Sequence, residues 1–98
     1  MKLADLNPQW FAEPGRQGQG LNFNCPCPKC SAIPNGSPQQ LRVLSVWFAN
    51  PLDGQGSYLN AGWQRVGETF ETLTITPSID ASKSGHWHGW IRDGEVTP

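Results

Sequence analysis

The chain has 98 residues, enough for one small domain, and its 37% apolar content with 11 glycines and nine prolines favours a loop-rich fold over a helical bundle. The formal net charge is −1 and the seven basic residues are scattered, which argues against binding nucleic acid through clustered Lys and Arg. No apolar run is long enough to cross a bilayer, and the N-terminus lacks the apolar stretch of a signal peptide. We therefore expect a cytoplasmic protein with no membrane partner.

Residues 1–20 are predicted to form a weakly structured N-terminal segment. Pro8 and Pro14 interrupt any helix there, and three glycines follow Pro14. The apolar side chains of this segment are expected to dock one short turn on the core; they are Leu3, Leu6, Trp10 and Phe11. Residues 21–98 are then expected to form the folded domain.

Three segments have the residue pattern of β-strands. Residues 21–24 alternate apolar and polar side chains and lead into the first cysteines. Residues 41–49 are apolar on both faces, which predicts a strand in the centre of a sheet. Residues 68–76 alternate threonines with apolar side chains and are expected to form a strand that ends at Pro77.

Residues 86–96 are predicted to form a β-hairpin, because Asp93-Gly94 is a dipeptide strongly preferred in a type I′ turn. With the three strands before it, this hairpin predicts a mainly β fold. The expected architecture is a small antiparallel sheet with a Cys/His zinc knuckle at one edge.

Three cysteines, Cys25, Cys27 and Cys30, lie close together in the segment that we call the zinc knuckle, residues 25–30. Thiolate and imidazole groups hold zinc in structural sites, which often pair such a segment with ligands from far along the chain. An odd cysteine count and the reducing cytoplasm favour metal over disulfide bonding. We therefore expect Zn²⁺ to be bound here.

Two histidines, His86 and His88, are the candidate distant ligands. Side chains two apart on a strand share a face, so both histidines can reach one centre. Cys25 and Cys27 have the same spacing, and Cys27-x-x-Cys30 matches a turn in which two thiolates bind one ion. Five candidates compete for four tetrahedral positions, and the spacing leaves open which four bind. The alternative is that the cysteines are buried free thiols and the histidines are ordinary surface residues.

The chain resembles a family of small phage- and prophage-encoded proteins of unknown function. The matching elements are the Phe-x-Cys-Pro knuckle at residues 23–30, a Trp followed by a Thr-rich strand ending in Pro-Ser-Ile at residues 63–79, and the His-bearing hairpin at residues 87–96. The resemblance covers about residues 21–97. It implies a single zinc-binding domain.

The resemblance also bears on the choice of histidine. When the hairpins are aligned, His88 matches the family histidine and His86 has no sure counterpart. Many relatives carry Cys directly before that histidine, where this chain has Trp87. The resemblance thus implies that His88 is the distant ligand.

These observations lead to three hypotheses about function. The first is a non-enzymatic, zinc-stabilised phage or prophage domain that binds a host or phage protein through an aromatic-rich surface. The second is a metal-dependent hydrolase in which three side chains bind zinc and water occupies an open fourth position. A hydrolase that uses Ser78 and Asp80 with a nearby histidine is not favoured, because Ser and Asp are ordinary turn formers. The third, not favoured, is a single-stranded nucleic-acid binder in which Trp63, Trp87 and Trp90 stack on bases instead of packing in the core.

Overall fold

The computed structural model describes residues 1–27, 30, 43–55, 61–82 and 86–97. These residues form one short 3-10 helix and seven strands. The helix is Leu3–Leu6, and the strands are β1 (Gln9–Phe11), β2 (Gly20–Asn24), β3 (Val43–Trp47), β4 (Gln64–Val66), β5 (Thr74–Asp80), β6 (His88–Arg92) and β7 (Glu95–Thr97). The prediction of a mainly β fold is confirmed.

The strands form two antiparallel sheets. The first has the order β1-β2-β3 and the second has the order β4-β5-β6-β7. The sheets meet where β3 ends and β4 begins, through a parallel bridge between Phe48 and Trp63. The Ala49 N–H there donates a hydrogen bond of 2.6 Å to the Trp63 carbonyl. Backbone hydrogen bonds therefore join the two sheets at this point, in addition to their packed side chains.

The core lies between the two sheets and follows the two-residue periodicity of the strands. In β2, for example, Leu21 and Phe23 are buried while Asn22 and Asn24 between and beyond them are only partly covered. The aliphatic and phenyl side chains that the core buries are those of Leu3, Leu6, Leu21, Phe23, Val46, Phe48, Leu73, Ile75, Ile79, Ile91 and Val96. Such contiguous burial is the main favourable term in the stability of the fold.

The N-terminal segment forms a strand of the first sheet and makes backbone hydrogen bonds to the last hairpin of the second sheet. Leu3 and Leu6 are buried in the core, as expected for a docked short turn. Residues 9–11 form β1, which was not expected among the prolines and glycines, and Trp10 on this strand stacks on Phe70 with ring centroids 4.6 Å apart. The Leu3 N–H also donates to the Gly94 carbonyl at the end of the chain. Tertiary contacts here outweigh the weak local propensity.

Two strand predictions need correction. Residues 43–47 form an edge strand among the described residues, because β2 takes the central position, and Val43 is 52% exposed. Residues 41 and 42 lie outside the described residues. The strand predicted at 68–76 begins only at Thr74, since the preceding residues form turns, and it continues through Pro77 to Asp80. A register shift between Ile75 and Ile79 accommodates a proline that has no N–H to donate.

The predicted C-terminal hairpin is present. Asp93 and Gly94 have φ angles of 47° and 75°, as a type I′ turn requires, and Arg92 pairs with Glu95 across it. The hairpin places β6, which begins at His88, in the interior of the second sheet. Within the described part of the chain, no helix has the length and apolar character needed to span a membrane.

Candidate metal centre

Three cysteines and one histidine converge at one end of the two sheets. Cys25 directly follows the last residue of β2, and Cys27 and Cys30 follow in the zinc knuckle. His86 precedes the first residue of β6 by two positions. The four ligand atoms all lie within 4.8 Å of one another, and the three cysteines are free and buried. The cysteines therefore follow a strand of the first sheet, and the histidine precedes a strand of the second sheet.

The distances within this cluster fit a single tetrahedral ion. Nδ1 of His86 lies 3.6 Å from Sγ of Cys25, 3.6 Å from Sγ of Cys27 and 3.5 Å from Sγ of Cys30. For Zn–S bonds of about 2.3 Å and a Zn–N bond of about 2.0–2.1 Å, a regular tetrahedron has S–N edges of about 3.5–3.6 Å. The three nitrogen–sulfur distances therefore match those of a Cys₃His metal site.

The structure brings His86, and not His88, to the cysteines. His88 is exposed on β6, and its Nε2 lies 3.3 Å from Oγ of Ser78. The family resemblance points to His88 instead, which lies outside this cluster. The two histidines do not share a face because β6 begins only at His88, so the periodicity of a strand does not extend back to His86.

The turn between β5 and β6 positions His86. The His86 N–H donates to the Ala81 carbonyl at 3.1 Å, and the Ala81 N–H donates to the Trp87 carbonyl at 2.8 Å. Trp87 is 8% exposed and packs edge-to-face on Phe23, with ring centroids 6.0 Å apart. Since Phe23 lies on β2 just before the zinc knuckle, the same packing contact fixes the histidine turn against the cysteines.

Backbone amides donate hydrogen bonds to two of the sulfurs. Burial raises the pKa of the Cys25 thiol to about 11, although the N–H groups of Cys27 and Trp87 donate to its sulfur and favour the thiolate. Burial also acts to raise the pKa of Cys27, but hydrogen bonds from the Cys30 backbone and from His86 lower it to about 6. A bound cation would therefore displace a proton from Cys25 at neutral pH.

The Trp87 amide is a part of this site that the sequence did not reveal. Its N–H donates to the sulfur of Cys25, a candidate metal ligand, from 62 positions further along the chain. A hydrogen-bond donor to a metal ligand orients that ligand and stabilises its charge. The position of a backbone N–H depends on the fold and not on the residue type, so no motif could have indicated it.

The other sequence candidates lie outside the cluster. Asp80 accepts hydrogen bonds from the N–H and hydroxyl of Ser82, as a turn former does. Trp87 faces the core, whereas Trp90 lies beneath the Arg92 guanidinium, 4.3 Å from the ring centroid. These two tryptophans therefore do not share an open stacking surface.

Comparisons with models of protein families, with curated proteins and with solved structures found no significant match.

Proposed function

We propose that the protein is a small zinc-binding β domain in which one Zn²⁺ ion, held by Cys25, Cys27, Cys30 and His86, has a structural role. The observation that carries this proposal is the near-equal spacing of 3.5–3.6 Å between His86 Nδ1 and the three sulfurs. One ring nitrogen carries a single N–H or a single lone pair, so hydrogen bonding alone does not explain its contact with three sulfurs. An ion at their centre accounts for all three distances at once.

A structural role, rather than a catalytic one, follows from the number of ligands. Four protein ligands fill the tetrahedral shell, so no position stays open for a water molecule or a substrate. The ion would also crosslink the two sheets, because the cysteines follow β2 of the first sheet and the histidine precedes β6 of the second. A domain of this size gains much from such a crosslink, because its core is small.

We further propose that the domain is non-enzymatic and acts by binding another protein, of the host or of the phage. The support is the resemblance to small phage-encoded zinc-binding domains, together with a net charge of −1 that gives little attraction for phosphate backbones. Affinity for single-stranded oligonucleotides that falls steeply with salt would contradict the choice of a protein partner. A zinc-loaded bait and its His86→Ala variant would show which captured proteins require the metal-bound form.

The metal site is tested by comparing two histidine variants. Protein purified without added metal should contain about one zinc ion per chain, and His88→Ala should retain it under mild chelation. His86→Ala removes one of four ligands and should lose the ion to the same chelator. His88→Ala is the matched control, because it removes the same side chain two residues away on an exposed position. Retention by His86→Ala with loss from His88→Ala would contradict the assignment.

A further inference from the structure

The three thiolates of the proposed zinc site differ in their surroundings. The difference indicates that Cys27 and Cys30 are the pair more accessible to an oxidant. Cys25 is 1% exposed, whereas Cys27 and Cys30 are 7% and 6% exposed. The Cys25 sulfur also accepts two backbone N–H groups, from Cys27 and Trp87, which draw electron density from it and lower its nucleophilicity. Cys25 is therefore the least accessible of the three ligands, and its sulfur accepts one backbone N–H more than the Cys27 sulfur, which accepts the Cys30 N–H.

Chain spacing selects the same pair. Cys27 and Cys30 are separated by two residues, the spacing of dithiols that form a disulfide in a tight turn. Cys25 and Cys27 are separated by one residue, and a bridge over so short a segment strains the dihedral angle that a disulfide prefers. The sulfurs of the cluster already lie within 4.8 Å of one another, so joining Cys27 to Cys30 requires a small movement.

We infer that a peroxide oxidises Cys27 and Cys30 to a disulfide, and that the zinc site is thereby a redox switch that releases its ion. This inference rests on the proposed zinc function. One thiolate of the pair attacks a peroxide oxygen, the O–O bond breaks, and hydroxide leaves a sulfenic acid behind. The second thiolate attacks that sulfur, the S–O bond breaks, and a second hydroxide leaves. Two protons from solvent convert the hydroxides to water, so two thiolates lose two electrons and one peroxide gains them.

The disulfide leaves only Cys25 and His86 as zinc ligands. Two ligands do not fill a tetrahedral shell, so the ion passes to solvent. Because the ion joins the knuckle after β2 to the turn before β6, its release uncouples the two sheets at this end of the domain. The contact between Phe23 and Trp87 and the hydrogen bond from the Trp87 N–H to the Cys25 sulfur then remain between this turn and the end of β2.

The experiment starts from reduced, zinc-loaded full-length protein. Hydrogen peroxide is added in steps under anaerobic conditions, free zinc is followed with a colorimetric indicator, and disulfides are mapped by mass spectrometry of non-reduced peptides. We expect about one peroxide consumed for each ion released, a Cys27–Cys30 disulfide, and recovery after addition of a thiol reductant and zinc. Retention of zinc under excess peroxide, or a disulfide that includes Cys25, would overturn the inference.

Two variants that keep four ligands sharpen the test. Cys25→His leaves the Cys27–Cys30 pair, so peroxide should still form that disulfide and release the ion. Cys30→His leaves only the Cys25–Cys27 pair and should release zinc at least about tenfold more slowly than Cys25→His, each rate being taken relative to the same variant without peroxide. Equal release rates for the two would count against the inference, and if either variant fails to bind zinc, the disulfide map of the wild type decides. A protein that contains no metal before peroxide is added refutes the zinc proposal itself, which is a different outcome.

Discussion

Replacing Trp87 by alanine should strongly destabilise the domain without changing its zinc stoichiometry. The indole is 92% buried, since its exposed fraction is 8%, and it packs edge-to-face on Phe23. The contact that Trp87 makes with the Cys25 sulfur comes from the backbone N–H, which alanine retains. The variant therefore separates the packing that supports the site from the ligands that form it.

The size of the effect follows from the burial. Truncating a buried tryptophan or phenylalanine to alanine costs about 3–5 kcal/mol, including the cavity that is left. The total free energy of unfolding of a small domain is about 5–15 kcal/mol, so in a domain near the middle of that range the Trp87→Ala variant should lose about 30–50% of its stability. The midpoint of urea unfolding should fall accordingly, because the surface exposed on unfolding changes little.

Trp90→Ala is the matched control. Trp90 lies on β6, three residues after Trp87, and is only partly buried. The Arg92 guanidinium lies over its ring. An exposed cation–π contact contributes about 0.5–1 kcal/mol, so this variant should be close to the wild type. Urea unfolding of both zinc-loaded variants would be followed by far-ultraviolet circular dichroism at a fixed free zinc concentration. Equal destabilisation by Trp87→Ala and Trp90→Ala would refute the assignment of Trp87 to the core.

The remaining predictions concern a glycine, an ion pair and pH. Gly89→Ala should lower the free energy of unfolding by about 1–3 kcal/mol, because an added Cβ collides with the Thr97 carbonyl oxygen, whereas Gly62→Ala, with no atom within 4 Å of its Cβ, should be neutral or slightly stabilising. Thermal melts of the two variants would check this, and a stable Gly89→Ala would contradict the pairing of β6 with β7. Asp53→Asn should be less stable than the wild type at pH 7, because the Arg16 hydrogen bonds and two backbone N–H groups hold the pKa of the Asp53 carboxyl well below its usual range. A depressed pKa contributes its full stability above the unfolded value of about 4 and loses it as pH falls from there towards the folded value. The advantage of the wild type should therefore be constant from about pH 7 to 5 and shrink progressively below about pH 4. Zinc affinity should fall as pH decreases from 8, since the ion must displace the proton of Cys25. The affinity would be measured by competition with a chelating dye, and an affinity that does not change with pH would show that no thiol is deprotonated on binding.

Much of the fold could be predicted from local sequence. The Asp93-Gly94 turn determines the last hairpin, and alternation at residues 21–24 predicts β2. Sequence could not show that β2 would take the central place in the first sheet, because the pairing partner β1 comes from a segment of low strand propensity. The sequence pattern also predicted the start of β5 at residue 68 instead of Thr74, because threonines and apolar residues alternate in the preceding turns as well.

The metal site shows the same division between local and tertiary information. The cysteine spacing identified three members of the cluster directly, and the pair of histidines limited the fourth to two positions. Choosing His86 over His88 required the start of β6 and the hydrogen bonds of Ala81, both of which depend on how the second sheet assembles. The family resemblance points to His88 because it aligns the hairpins and not the turn that precedes them, whereas the structure places His86 beside the cysteines.

X-ray absorption spectroscopy at the zinc edge tests the central claim most directly. Zinc-loaded protein should show three sulfur ligands at about 2.3 Å and one nitrogen ligand at about 2.0–2.1 Å, with no bound water. The His88→Ala variant should give the same spectrum, because His88 lies outside the cluster. A first shell of two sulfurs and two nitrogens, or one that includes a water oxygen, would contradict a closed site formed by Cys25, Cys27, Cys30 and His86.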